Sequence, residues 1–223
     1  MKVGLTGGIG SGKSFVARLL CEKGFSVFDC DGQAKQMMVE DDEVVRLISD
    51  VVGDDAYLYD DGGGSLNCGL QSESKDGPSS PRRLLNKKAV AAFLFKSQEN
   101  ASVINDIVHP RLANVFKKWA DSYAGQLVFM ESAILFESGF NNLVDRTVCV
   151  VADEHIRIQR AMDRDAASYK YIVRRIRLQD NQEKNILRAD YILYNNEGDN
   201  ISDQIDKLIL ALMSEQERFD KRT

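Results

Sequence analysis

The stretch from residue 7 to residue 14 constrains this chain more than any other part of the sequence. It follows the pattern G-x-x-x-x-G-K-S, between an apolar, strand-like run (residues 2–6) and a helix-like run (residues 15–20). Glycines let a backbone curl so that successive N–H groups point inward, and the N-terminus of the following helix adds partial positive charge. The pattern therefore predicts a loop that binds a polyphosphate. Its candidate phosphate ligands are Gly8, Ile9, Gly10, Ser11, Gly12, Lys13 and Ser14.

Two side chains at the end of this loop have specific chemistry. In loops of this pattern the lysine, here Lys13, reaches the β- and γ-phosphates of a nucleotide. The following hydroxyl, here that of Ser14, is offered to Mg²⁺. The expected ligands are therefore ATP or a related nucleotide together with Mg²⁺.

Acidic residues follow two of the apolar runs. The first run ends in Asp29-Cys30-Asp31, and for Asp31 three roles stay open: a ligand in a metal shell, a general base for an attacking hydroxyl, or an N-cap of the helix predicted over 33–40. Glu131 follows the apolar run 126–130, as in a Walker-B strand. We expect it to lie near Ser14 and to hold Mg²⁺ through water, although a cap at the strand end is the alternative.

Apolar periodicity predicts an α/β fold with a doubly wound parallel sheet of about five strands, of the P-loop NTPase type. The predicted strands are 2–6, 25–28, 126–130, 146–151 and 191–195. The predicted nucleotide-binding core comprises residues 1–40, 124–152 and 189–223.

Between the second and third strands the pattern predicts a helical insertion, residues 41–123, with no sheet-forming alternation. Within it, residues 60–84 are rich in Gly, Ser, Asp and Pro, and we expect a partly disordered surface excursion there. His109-Pro110 is expected to interrupt a helix, because proline disfavours the helical conformation of the residue before it. A new helix is then predicted to run to about residue 123.

Basic residues concentrate between 157 and 177 in a chain that is acidic overall. Arg157, Arg160 and Arg164 fall at i, i+3 and i+7, which predicts a shared helical face. A solvated basic face would explain them, but beside a phosphate loop they favour a lid, residues 153–188, whose arginines stabilise the transferring phosphoryl group.

Composition excludes several classes of protein. The net charge of -5 argues against a general nucleic-acid binder. The four cysteines lack C-x-x-C spacing, so neither zinc nor a disulfide framework is indicated. No apolar run is long enough to span a membrane, and the chain begins with a strand-like run, so we expect a cytoplasmic protein without a membrane partner. Oligomeric state stays open between a monomer and a weak homo-oligomer.

These features indicate a nucleotide-dependent phosphotransferase. A GTP-binding switch needs an N-K-x-D segment after a strand, whereas Asn86-Lys87 is followed by Lys88-Ala89 in a helix-like stretch. A non-catalytic ATP-binding regulator would not need the acidic strand ends and the arginine-rich segment.

The chain resembles the dephospho-coenzyme A kinase family almost end to end. The resemblance is carried by residues 4–14, Asp29-Cys30-Asp31, His109-Pro110, Glu131 with Leu135-Phe136-Glu137, Arg160, Arg164-Asp165, Gln179 and 189–195. It implies phosphorylation of the ribose 3′-hydroxyl of dephospho-coenzyme A by ATP, on a core, a helical acceptor domain and a lid. A nucleoside or nucleoside monophosphate kinase is the alternative.

The resemblance also implies roles for individual residues. Asp31 would accept the proton of the 3′-hydroxyl, Arg164 with Arg160 would clamp the phosphoryl group, and the backbone near Asn195 would frame the adenine of ATP. His109 and Pro110 would lie in the domain that receives the acceptor. Many family members have Asp-Arg where this chain has Asn86-Lys87, so Lys87 keeps the positive charge of an acceptor contact but not the bidentate fork of arginine.

Overall fold

The computed structural model of the protein describes residues 1–60, 82–179 and 182–220. The strands in these ranges are β1 (Lys2–Thr6), β2 (Ser26–Asp29), β3 (Tyr57–Asp60), β4 (Arg82–Leu85), β5 (Val128–Glu131), β6 (Arg146–Val151) and β7 (Tyr191–Tyr194). The α-helices are α1 (Lys13–Glu22), α2 (Cys30–Glu40), α3 (Asp42–Val52), α4 (Lys87–Leu94), α5 (Gln98–Asp121), α6 (Glu154–Asp165), α7 (Tyr169–Gln179), α8 (Gln182–Arg188) and α9 (Ile201–Asp220).

A parallel sheet of five strands, in the order β2-β5-β1-β6-β7, confirms the predicted doubly wound α/β fold. Its strands are short and almost wholly apolar because helices cover the sheet. The register pairs Leu5 with Glu131 and Asp29 with Glu131, so that β1, β5 and β2 end side by side. The acidic strand ends therefore share one edge of the sheet.

Helices α1 and α9 cover part of this sheet and form an apolar cluster with its strands. The strands contribute Val3, Leu5, Phe129, Val148, Val150 and Leu193, and the helices contribute Val16, Leu20, Ile205, Leu208 and Leu212. A second, smaller cluster joins α6 and α7 through Ile158, Ala161, Ile172 and Ile176. The predicted lid segment thus has its own apolar core.

The chain divides into two compact units, residues 1–31 with 113–223 and residues 32–112. The second unit begins and ends about ten residues before the predicted insertion of 41–123, because α2 and α5 each pass from one unit into the other. Its own core includes Val44, Ile48 and Val108.

The prediction of an insertion without strands was wrong. β3 and β4 pair antiparallel, with Leu58 opposite Leu84 and Tyr59 opposite Arg83. Two strands of four residues leave too short a run for the alternation of side chains to stand out in the sequence. The ends of the predicted excursion at 60–84 are therefore strand, and residues 61–81 lie outside the described residues.

The predicted helix break at His109-Pro110 was also wrong, since α5 continues through Pro110. Proline removes one backbone donor and its ring pushes against the preceding turn. At this point the Arg111 guanidinium donates to the carbonyl of Ile107 at 3.1 Å. No helix within the described ranges is long and apolar enough to span a membrane.

The packing of α9 predicts that two of its leucines contribute very differently to the free energy of unfolding. Leu212 is 0% exposed and Leu210 is 69% exposed. We expect Leu212→Ala to lower the free energy of unfolding by about 2–5 kcal/mol, because it removes buried methyl groups and leaves a cavity. Leu210→Ala, the matched control, should stay within about 0.5 kcal/mol of the wild type. Urea denaturation of both variants measures this, and equal losses would contradict the packing of α9.

Candidate active site

The phosphate loop lies between the end of β1 and the start of α1. Gly10 and Gly12 have φ of 77° and 94°, in the left-handed region that favours glycine. The N–H of Ser11 donates to the carbonyl of Gly8 at 3.1 Å, and α1 starts with the bond from Val16 N–H to the carbonyl of Gly12 at 3.0 Å. The predicted strand, loop and helix are thus present at the predicted positions.

Asn195, which follows β7, holds this loop from one side. Its side-chain amide donates to the carbonyl of Ser11 at 2.8 Å, and a side chain on Gly12 would collide with that amide. Asn195 is buried, and its own carbonyl accepts from Nη1 of Arg160 at 2.9 Å. Sequence reasoning assigned only the backbone near Asn195 to adenine and missed the contact between its side chain and the loop.

Glu131, at the end of β5, receives both side chains at the start of α1. Its Oε1 lies 2.6 Å from Nζ of Lys13 and 2.7 Å from Oγ of Ser14. The side chains of Lys13 and Glu131 are only 11% and 10% exposed, so their ion pair is poorly screened by water. Glu131 therefore lies beside Ser14, where its sequence position placed it.

A carboxylate and a hydroxyl are the kind of oxygen ligands that Mg²⁺ prefers. In nucleotide sites this ion is held by one or two protein oxygens, several waters and the substrate phosphates, and not by a cage of side chains. Among the described residues there is no group of three or more His, Cys, Asp or Glu placed to hold a metal. Ser14 and Glu131 fit a magnesium ion that binds together with a nucleotide.

Asp31 lies in the first turn of α2, and its side chain is exposed. The alternative of an N-cap for a helix over 33–40 was wrong, because β2 ends at Asp29 and α2 begins at the next residue. A carboxylate in the first turn is favoured by the helix dipole and stays accessible from solvent. Asp31 therefore lies two residues after Asp29, the partner of Glu131 at the sheet edge, and its role as a general base stays a prediction.

The pKa of the buried Cys30 thiol depends on the charged side chains around it. Burial, together with the carboxylates of Asp31, Asp29 and Glu131, raises the pKa of Cys30 to about 12, while the ammonium of Lys13 opposes them. Electrostatic effects of this size act over a few ångströms inside a protein. The three acids and the lysine therefore converge around one point at the sheet edge.

The three arginines of α6 have different surroundings. Arg157 is buried and its Nε donates to the carbonyl of Ile9 at 3.0 Å, whereas Arg160 bonds the carbonyl of Asn195. Arg164 is exposed and forms a bidentate pair with Asp165, at 2.7 and 3.1 Å. The predicted common face is present, since α6 contains all three residues, but the first two side chains contact main-chain carbonyls and the third stays at the surface.

Asp165 joins the two lid helices. It also accepts from Nη1 of Arg175 on α7 at 2.7 Å. Hydrogen bonding to Arg164, with a further contribution from Arg175, lowers the pKa of Asp165, so that carboxylate is ionised at neutral pH. Arg164 must exchange Asp165 for a phosphoryl group if it acts as the predicted clamp.

Of the residues predicted to bind the acceptor, Asp31 belongs to the unit of residues 1–31 and 113–223, and the other three belong to the unit of residues 32–112. Lys87 is the first residue of α4, exposed, and its helix is capped by Asn86, whose side chain accepts from the N–H groups of Lys88 and Ala89. His109 and Pro110 lie in the middle of α5, and burial lowers the pKa of His109 against the opposing effect of Asp106. The structure places no ligand on these residues, and their acceptor roles stay predictions.

Comparison with known proteins assigns the chain to a family. A family model described as dephospho-CoA kinase matches residues 1–70 and 80–218. A dephospho-CoA kinase of Bacteroides fragilis is 36% identical over 213 residues, which cover 95% of this chain and 93% of the relative. A dephospho-CoA kinase of Chlorobaculum tepidum is 33% identical, with 95% of each chain covered. This chain belongs to the dephospho-CoA kinase family.

Solved structures agree with the fold of this family. The crystal structure of TT1252 from Thermus thermophilus is 27% identical, with a TM-score of 0.70 over 96% of this chain and 97% of that one. A dephospho-CoA kinase from Campylobacter jejuni matches with a TM-score of 0.58 at 21% identity, over 97% and 98% of the two chains. A shikimate kinase from Bacteroides thetaiotaomicron, at 10% identity and a TM-score of 0.51 over 96% and 98%, shares the fold alone. These findings do not favour the alternative of a nucleoside or nucleoside monophosphate kinase.

The burial of Cys30 predicts its reactivity. The described residues contain the free thiols of Cys21, Cys30 and Cys149, of which only Cys21 is exposed. Because burial and nearby acids raise the pKa of Cys30 to about 12, almost none of it is thiolate at pH 8. We expect iodoacetamide at pH 8 to alkylate Cys21 quickly and Cys30 very slowly, as measured by peptide mass spectrometry.

Replacing Asp31 tests whether its carboxylate contributes to the raised pKa of Cys30. In Asp31→Asn the pKa of Cys30 should fall, because one neighbouring carboxylate charge is gone, and alkylation of Cys30 should become faster while that of Cys21 stays constant. Equal alkylation rates of Cys30 in the wild type and in Asp31→Asn would show that the Asp31 carboxylate does not act on the Cys30 thiol.

Proposed function

We propose that this protein transfers the γ-phosphoryl group of ATP to the ribose 3′-hydroxyl of dephospho-coenzyme A, giving coenzyme A and ADP. The observation that carries the proposal is the joint presence of a family match over nearly the whole chain and a phosphate loop whose Lys13 and Ser14 meet Glu131. The match names the reaction of the family, and the loop supplies the chemistry that the reaction needs.

The nucleotide binds on the phosphate loop. Its β- and γ-phosphates accept from the loop N–H groups at the N-terminus of α1 and from Lys13, which exchanges Glu131 for phosphate oxygens. Ser14 and Glu131 hold Mg²⁺, with the carboxylate acting through water. When bound, the ion neutralises charge on the β- and γ-phosphate oxygens.

Asp31 takes the proton of the attacking hydroxyl. A carboxylate that is exposed in the first turn of α2 can accept a hydrogen bond from the 3′-hydroxyl and then its proton as the oxygen attacks the γ-phosphorus in line. The leaving group is the β-phosphate oxygen of ADP. We expect the acceptor to be held by Lys87, His109 and Pro110, as in the family that the chain resembles.

The lid arginines stabilise the charge that spreads over the phosphoryl oxygens. Arg160 is already fixed at the carbonyl of Asn195, close to the phosphate loop, whereas Arg164 is held by Asp165. A phosphoryl group with developing negative charge competes for Arg164, and closure of the lid excludes water from the reaction. A cytoplasmic location is part of the proposal.

Substrate choice tests the reaction directly. Purified protein with Mg²⁺ and ATP is offered dephospho-coenzyme A, AMP, UMP, dTMP or adenosine, and the product is identified by mass spectrometry. We expect ATP consumption with dephospho-coenzyme A alone and a product of the mass of coenzyme A. Phosphorylation of a nucleotide instead would overturn the proposed acceptor and leave the phosphate site unaffected.

Two substitutions should separate transfer from nucleotide binding. Asp31→Asn should lower kcat by about 100-fold or more, since a general base of this kind contributes about 10²–10⁴. Its affinity for ATP, measured by calorimetry, should stay unchanged because the loop is intact. Lys13→Ala should weaken ATP binding and slow transfer together.

Asp203→Asn is the matched control for Asp31→Asn. Asp203 is about half exposed on α9 and forms a surface ion pair with Lys207 at 2.7 Å. This variant should keep wild-type kcat. Near-normal turnover in Asp31→Asn would exclude Asp31 as the base, and unchanged ATP affinity in Lys13→Ala would remove Lys13 from the phosphate site.

A further inference from the structure

Arg157 is one of the largest fully buried side chains of the protein. It lies in α6 and is only 2% exposed, whereas arginines are almost never buried to this extent without partners. The resemblance to the family implies roles for Arg160 and Arg164 but none for Arg157. A buried guanidinium next to a nucleotide site therefore needs its own explanation.

Arg157 contacts the phosphate loop at three consecutive residues. Its Nε donates to the carbonyl of Ile9 at 3.0 Å. A methyl group placed on Gly8 would lie 2.6 Å from Nη2 of Arg157, and one on Gly10 would collide with the main-chain carbonyl of Arg157. The first turns of α6 thus support the segment from Gly8 to Gly10 directly.

The bond to Ile9 also sets the direction of the next N–H group. The carbonyl of Ile9 and the N–H of Gly10 belong to one planar peptide unit, and in a trans peptide they point in opposite directions. No cis peptide bond occurs in the described residues. When Arg157 holds the carbonyl of Ile9 toward α6, the N–H of Gly10 is directed away from α6, as an anion-binding loop requires.

The charge of Arg157 acts in the same region. The guanidinium opposes the effect of burial on the pKa of Cys149, near the carboxyl end of β6, so its field extends over this sheet edge.

Ile9 also connects the loop to the lid. Its side chain packs against the apolar cluster of α6 and α7, which includes Ile158 and Ile172. The carbonyl of the same residue accepts from Arg157, so both parts of Ile9 contact the segment that carries Arg160 and Arg164. Ile9 therefore connects the phosphate loop to α6 through both its carbonyl and its side chain.

We propose that Arg157 is a positioning residue for ATP: its buried guanidinium fixes the peptide between Ile9 and Gly10 so that the Gly10 N–H faces the phosphates, and it joins the loop to the lid helix. The proposal rests on the proposed function in one respect, since it takes ATP as the ligand of the loop. It assigns Arg157 no contact with the reacting atoms.

The test compares Arg157→Met with the wild type. Methionine keeps an unbranched stem but loses the donor and the charge. Arg18→Met makes the same change on α1, in the same unit, where the arginine side chain is 66% exposed. We measure the Kd for ATP by calorimetry, then kcat and the KM of each substrate.

We expect Arg157→Met to raise the Kd and KM for ATP by about 10-fold to 100-fold and to lower kcat, because the loop N–H groups lose their alignment. The KM for dephospho-coenzyme A should not change, and Arg18→Met should behave as the wild type. A purely structural role predicts a lower melting temperature with an unchanged Kd for ATP in the folded protein, and that result would overturn the proposal.

A second variant covers the case in which Arg157→Met does not fold. Arg157→Lys keeps the charge but replaces the planar fork with a flexible ammonium, which cannot hold Ile9 in the same geometry. We expect its Kd for ATP to rise, though less than in a variant without charge. A wild-type Kd for ATP in Arg157→Lys, when Arg157→Met is unfolded, would overturn the proposal.

The two proposals fail in different ways. If the wild-type protein does not phosphorylate dephospho-coenzyme A, the proposed function fails, and the ATP titrations of the variants still decide the role of Arg157. If the wild type is active and the variants bind ATP normally, only the role of Arg157 fails.

Discussion

The contacts of the Glu131 carboxylate with Lys13 and Ser14 organise the sheet edge beside the phosphate loop. Glu131 ends β5, which lies between β1 and β2, and it accepts from Lys13 and Ser14 at the start of α1. A nearly buried ion pair of this kind is costly to break on one side only, because the remaining charge stays in a poorly hydrated place. Glu131 thus keeps the Lys13 ammonium and the Ser14 hydroxyl together at the sheet edge.

The phosphate loop itself is held from two sides by side chains that are distant in the sequence. Asn195 bonds the carbonyl of Ser11, and Arg157 bonds the carbonyl of Ile9. When these two carbonyls are occupied by buried donors, the backbone N–H groups of the same peptide units are left for an anion. A loop that is ordered before the nucleotide arrives loses less conformational entropy on binding, which favours tight and well-oriented phosphate contacts.

The arginines of α6, in the predicted lid segment, have different kinds of hydrogen-bond partner. Arg157 and Arg160 each donate to a main-chain carbonyl inside the protein. Arg164 instead pairs with an ionised carboxylate at the surface, where such pairs contribute little to stability. Separating Arg164 from Asp165 would therefore cost little, whereas displacing the other two side chains would leave main-chain carbonyls without these donors. The three arginines of α6 thus differ in how firmly they are held.

The sequence by itself determined the loop, the five parallel strands and the places of Lys13, Ser14, Asp31 and Glu131. These depend on local pattern: glycine spacing, apolar runs of strand length, and the rule that parallel strands present their carboxyl ends at one edge. It did not determine the strands β3 and β4, the course of α5 through Pro110, or the separate partners of Arg157, Arg160 and Arg164. Short strands pair only when the fold brings them together, and a proline is tolerated in a helix that packing supports. Three arginines on one helix look alike in sequence, and only the tertiary structure decided which one is buried, because burial depends on the loop that packs against each of them.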